Sequence, residues 1–204
     1  MHKFSISRRH LIKATAATVM LPTLGFSEAK KPAQQATRRN RHGILGHQAP
    51  ELEVDDWIDG KGNKASFKLA DHKGKFVFMK FWQYWCPGCH SHGLPSLKKI
   101  SEALSDNPHF VALSVQTVFE GSYINTASKR DNIQNKYDLH DLVMGHETGK
   151  DKPYGRPSTM INYRTGGTPW IVLIAPDGTV IFNDFHINPE PTIDYIKKET
   201  AKLS

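Results

Sequence analysis

Phe76-Val77-Phe78-Met79-Lys80-Phe81-Trp82-Gln83-Tyr84-Trp85-Cys86-Pro87-Gly88-Cys89 is the stretch that decides how this chain is read. Alternation places Val77, Met79 and Phe81 on one face and Phe76, Phe78, Lys80 and Trp82 on the other. Both faces are dominated by apolar side chains, which predicts a central strand buried on both sides. Pro87 suits the first turn of a helix, where its missing N–H would have no partner anyway. Leu94, Leu97, Ile100 and Leu104, spaced by three or four, carry that helix onward, with a kink expected at Pro95. Cys86 and Cys89 are the only cysteines in 204 residues. Two thiols separated by two residues, where a strand turns into a helix, can close and open a small ring and so move two electrons.

On either side of this unit the pattern is short strands and turns. Leu52-Glu53-Val54 and Trp57-Ile58 precede a hairpin turn, Asp59-Gly60-Lys61-Gly62, and Ala65-Ser66-Phe67 follows it. Phe110–Val118 returns to period two as a second strand. The fifty or so residues before the next clear strand are too many for a bare loop. They are read as a polar helix over Lys129–Leu139, a short strand at Leu142-Val143-Met144 and a helix over Pro157–Tyr163. Trp170–Ile174, Pro176-Asp177-Gly178 and Thr179–Phe182 form a hairpin, and Ile193–Leu203 an amphipathic terminal helix. The expected fold class is α/β, a mixed sheet with helices on both faces.

The net charge of +7 invites a nucleic-acid reading. Its distribution excludes it: residues 1–29 carry +3 and residues 30–42 carry +5, leaving −1 for the remaining body. A nucleic-acid footprint needs charge clustered on a folded face. Ser7-Arg8-Arg9-His10-Leu11-Ile12-Lys13, the weakly apolar Ala14–Phe26 and the small-x-small Ser27-Glu28-Ala29 read as a twin-arginine export signal cleaved near Ala29. Residues 30–45 read as a basic, solvated linker, and 46–204 as one domain. The location implied is the periplasm.

The order of these elements resembles the thioredoxin superfamily, and within it the TlpA/ResA-type periplasmic thiol–disulfide oxidoreductases and their redoxin relatives. The resemblance runs from about Gly46 to the C-terminus. It rests on Ala49-Pro50, Gly60 and Gly74-Lys75 as the added N-terminal hairpin and loop, and on Phe81-Trp82-x-x-Trp85-Cys86-x-x-Cys89 as the active-site strand and turn. Gly167-Thr168-Pro169, an apolar strand and Asp177-Gly178 match the cis-proline and terminal hairpin. The resemblance implies a thioredoxin-like fold with an N-terminal β-hairpin extension and an insertion before the cis-proline strand. It also implies a reductase that exchanges disulfides with protein substrates, is recharged by a membrane electron donor, and needs no cofactor beyond a Cys86–Cys89 disulfide.

On that reading Cys86, partly exposed at a helix N-terminus, is the attacking thiolate, and the more buried Cys89 resolves the mixed disulfide. Trp85, Pro87, Gly88, Thr168 and Pro169 position the substrate. His92 stands where the branch carries a glutamate that handles protons, and Lys80 where thioredoxin has a buried aspartate. The Lys80 stem is expected to lie beside Phe78 with its ammonium reaching water. A head held beneath the dithiol is the alternative, and it would act on the thiolate. Three rivals accompany this reading. Cys86-Pro87-Gly88-Cys89-His90 also fits the covalent haem pattern. A thiol peroxidase shares the scaffold. A copper- or metal-handling chaperone would use Cys86, Cys89, His90 and His92, although no metal site is expected.

Overall fold

The computed structural model describes residues 42–149 and 155–203. The export signal and most of the linker lie outside the described residues. Seven strands form one mixed sheet: β1 (Asp56–Ile58), β2 (Lys64–Ala65), β3 (Phe76–Trp82), β4 (Phe110–Val118), β5 (Val143–Thr148), β6 (Trp170–Ile174) and β7 (Val180–Asp184), in spatial order β2-β1-β5-β4-β3-β6-β7. β3, β4 and β5 run parallel, and β6, β7 and the β1–β2 hairpin are antiparallel to their neighbours. β3 is buried at every residue, as its two-sided apolar pattern requires. Each large apolar side chain removed from water there contributes ~1.5–3 kcal/mol.

Among the described residues, four α-helices accompany the sheet: α1 (Leu94–Ala103), α2 (Ala127–Lys136), α3 (Ser158–Asn162) and α4 (Pro189–Thr200). Phe76, Phe78 and Trp82 share one core with Leu94, Leu97 and Ile100 of α1, Ile133 of α2 and Ile193 and Ile196 of α4. Val77, Met79 and Phe81 share the other with Ile44, Leu52, Val54, Trp57, Phe67 and Tyr163. The fold is thioredoxin-like. The stretch between β4 and β6 supplies α2, β5 and α3, in the order the sequence predicts.

Four boundaries differ from expectation, each for a local reason. The linker reading runs too far, because Gly43 N–H donates to the Arg164 carbonyl and Ile44 N–H to Asn183 Oδ1 (2.7 Å), so 42–45 belong to the folded body. β5 continues to Thr148 through polar residues that hide the strand. Gly145 is required there, since a Cβ would come within 2.8 Å of the Trp57 ring across the pair Trp57↔Gly145. α4 starts at Pro189, four residues early, on an Asn-Pro start signal. In place of a kink at Pro95, the helix opens with a π-helical segment, Cys89–Gly93, in which the Leu94 N–H bonds to the Cys89 carbonyl. Proline has no N–H to donate, and the wider turn leaves the His90 carbonyl free for the Tyr137 hydroxyl (3.3 Å).

Candidate active site: the Cys86–Cys89 dithiol

The parallel pairing of β3 with β4 fixes the end of β3, and the chain turns at Gln83–Trp85 before Cys86 enters the helix. Both cysteines are reduced. Cys86 is only 6% exposed, less than the sequence suggests, and Cys89 is fully buried. The Cys89 backbone N–H points at Cys86 Sγ (3.3 Å), and Cys86 Sγ lies 3.5 Å from the Thr168 carbonyl. The Thr168–Pro169 peptide is cis, and Pro169 packs toward Gly88 and Gly93.

These contacts divide the two sulfurs. The hydrogen bond from the Cys89 thiol, joined by the N–H groups of Cys89 and Gly88 at the helix start, outweighs burial and draws Cys86 from 9.0 to about 6. The same hydrogen bond, together with burial, pushes Cys89 upward, so it stays a thiol. Iodoacetamide alkylation, followed by mass spectrometry across a pH series, is therefore expected to modify Cys86 alone, with half-maximal rate near pH 6. Half-maximal rate near 9 for both thiols contradicts this division.

Asn125, buried at 1% exposure, holds the turn. Its Oδ1 accepts from Tyr84 N–H (2.6 Å), and its Nδ2 reaches Gln83 Oε1 and the carbonyls of Glu120 and Gly121. Sequence reasoning missed Asn125 because it lies some forty positions from the dithiol in an unpatterned loop. Trp85, exposed beside Cys86, lies against Gly121 of the same loop. His90 is drawn away from the sulfurs: Nε2–H donates to the Tyr84 carbonyl (2.5 Å) and Nδ1 lies 2.8 Å from the Tyr137 hydroxyl. Both ring nitrogens are thus engaged in clamping the turn. Among the described residues, no three His, Cys, Asp or Glu side chains are grouped as metal ligands.

Lys80 departs from the reading preferred above. It is 1% exposed, so its ammonium does not reach water, and Nζ has no hydrogen-bond partner. The register explains why. Lys80 pairs with Ser114 and Ile171 in the middle of the sheet, and its side chain rises beneath Gly93. A Cβ on residue 93 would lie 2.7 Å from Lys80 Cε and 3.0 Å from Nζ, so a larger residue there would push the end of the lysine aside. Burial lowers Lys80 from 10.5 to about 8, against the opposing pull of Cys89 and Cys86. His92 is exposed, with Nδ1 2.7 Å from Ser91 Oγ and its ring edge-on to His186 at 5.9 Å. It lines a groove together with Lys80 and His186. The structure thus gathers Trp85, Cys86, Pro87, Gly88, Cys89, Thr168 and Pro169 in one place, with Lys80 beneath and His92 to the side.

The model of the AhpC/TSA family matches residues 45–182. The chain belongs to that family. Among solved structures it is similar to SPOA0173, a thioredoxin-like superfamily protein (28% identity, TM-score 0.63, 76% of this chain and 95% of that one). It is also similar to a thiol-disulfide isomerase from Corynebacterium glutamicum (25% identity, TM-score 0.63, 74% and 95%). The thioredoxin-like protein YneN of Bacillus subtilis (strain 168) is 33% identical over 69 residues, which span 34% of this chain and 37% of that protein. This AhpC/TSA redoxin thus has thioredoxin-like structural neighbours, a thiol-disulfide isomerase among them.

Proposed function

We propose that this redoxin reduces disulfides in protein substrates outside the cytoplasmic membrane, through the Cys86–Cys89 dithiol. The observation that carries the reading is the split between the sulfurs, one held as a thiolate at a helix start and the other kept as a buried thiol. Cys86 attacks one sulfur of the substrate disulfide. That bond breaks, the departing sulfur leaves as a thiolate, and a mixed disulfide forms. Cys89 then loses its proton and attacks Cys86 Sγ. The ring closes and the second substrate thiolate is released. Two electrons pass from the dithiol to the substrate.

Thr168, Pro169, Trp85, Pro87 and Gly88 border Cys86 and are the surface proposed to hold the substrate strand. Lys80 is coupled electrostatically to both sulfurs. In its neutral form it takes the Cys89 proton, and in its charged form it stabilises the Cys89 thiolate; His92 exchanges that proton with water. The Ser7–Lys13 pattern supports export to the periplasm, where a membrane donor of two electrons would reopen the ring.

The peroxidase alternative has support in the family itself. It needs an arginine to activate the cysteine, whereas the buried Arg130 is bound to Asp56 and Asp131 and the hydrogen bonds at Cys86 Sγ run to backbone groups and to the Cys89 thiol. Peroxide-dependent oxidation of a simple thiol would favour it. The direction of exchange is tested by equilibrating the Cys86–Cys89 couple with glutathione. A potential of roughly −270 mV is expected for a reductant, and one near about −120 mV reverses the assignment.

A further inference from the structure

A groove of about 440 Å³ opens between the Cys89–Gly93 segment and α1 on one side and the β7–α4 connection on the other. Lys80 lies at its base, His92 and His186 stand at its mouth, and Ser96, Asn188 and Phe185 complete the walls that matter here. Every ionisable residue lining it is basic, and no carboxylate is among them. Glu190 nearby is bound to Lys99 instead. The Lys80 amino group is 1% exposed and makes no hydrogen bond. A buried cation without a partner is costly, because low polarity around it replaces the water it gave up.

We propose that this groove is a carboxylate subsite for the disulfide substrate. An acidic group carried beside the substrate cysteine docks between His92 and His186 and supplies Lys80 with the counter-charge that the fold withholds. The inference rests on the oxidoreductase reading above and deepens it. It also has a redox consequence. In the reduced protein the Cys86 thiolate partly offsets Lys80, and that negative charge disappears when Cys86 enters a mixed disulfide or the closed ring. The subsite is therefore strongest once the sulfur has reacted, which favours acidic substrates in the step that consumes the thiolate.

Two measurements test it. The first compares kcat/KM for two hexapeptide disulfides that differ only in Glu or Gln next to the cysteine. The wild type is expected to favour the Glu peptide about tenfold. Lys80→Met is expected to bring the ratio close to one whatever its effect on the shared chemistry. His186→Ala is expected to reduce the ratio. A ratio near one in the wild type, or the same ratio in Lys80→Met, overturns the proposal and leaves the oxidoreductase reading intact. Glutathione disulfide, set against its carboxylate ester, identifies the source: a preference for the free acid places the carboxylate on a small disulfide, and one confined to the peptides places it on a protein side chain.

The second measurement needs no turnover. Acetate is titrated into the oxidised protein while the His92 and His186 ring protons are followed by NMR. A saturating shift that Lys80→Met abolishes supports the subsite. A shift that does not saturate, or is unchanged in the variant, overturns it. If neither peptide is reduced by the wild type, the oxidoreductase reading is what fails, and the acetate titration then shows independently whether the groove holds a carboxylate.

Discussion

Cys86→Ser should lower disulfide-reduction turnover by about 10³-fold or more, because a serine hydroxyl is not ionised near neutral pH and forms no disulfide. The helix start that draws the thiol down to about 6 cannot do the same for an alcohol. Cys89→Ser should behave differently. The attacking sulfur survives and the resolving one is gone, so the variant should accumulate as a mixed disulfide, visible as an added mass that dithiothreitol removes. The asymmetry is the informative part. Equal loss in both variants with no trapped species, or insulin reduction undiminished in Cys89→Ser, would mean that the roles of the two sulfurs are wrongly assigned.

Lys80→Met should stabilise the reduced protein by roughly 3 kcal/mol at pH 7, since each unit of pKa shift corresponds to about 1.4 kcal/mol and Lys80 falls from 10.5 to about 8. Methionine can follow the same path beneath Gly93 without a charge. For a chain of this size the melting temperature should rise on the order of 8 °C. The pH dependence gives the sign. Below pH 8 lysine is protonated in both states, and folding bears the full burial penalty. Between pH 8 and 10.5 the unfolded chain holds more protons than the folded one, so wild-type stability rises with pH. The gap between variant and wild type should therefore close across that window. Chemical denaturation of both proteins at pH 7 and pH 10 measures it; equal stability at pH 7, or a gap that stays constant, would show that Lys80 is not the buried cation described. The same variant should resolve mixed disulfides more slowly, because Cys89 loses the positive charge that favours its thiolate. A residue that weakens the fold while easing a reaction step is a pattern common to reactive sites.

The elements that build the site were legible because each depends on nearby residues. The apolar run of β3, Pro87 after Cys86 and the spacing of Leu94, Leu97 and Ile100 mark the strand, the helix start and the packed face. Asp177-Gly178 marks the hairpin turn between β6 and β7. Boundaries failed where a distant partner decides them. Ile44 is ordered by Asn183, 139 residues away. β5 runs on because Glu147, buried, accepts from the Thr159 backbone N–H and hydroxyl, a pairing that no local pattern announces. Asn125 escaped notice for the same reason.

The chain's own order of residues determined the placement of a dithiol at a strand-to-helix turn, the succession of strands and helices, and the near-neutral body behind a basic tail. Those follow from periodicity, turn chemistry and charge counting, which act over a few positions. The fate of Lys80 was decided only when the sheet assembled. Alternation placed it on a face, but whether that face leaves an outlet to water depends on what packs above it. Gly93 of the Cys89–Gly93 π segment packs against the end of the lysine side chain, and the amino group stays buried at the base of the groove beside it because the strand register fixes where the stem rises.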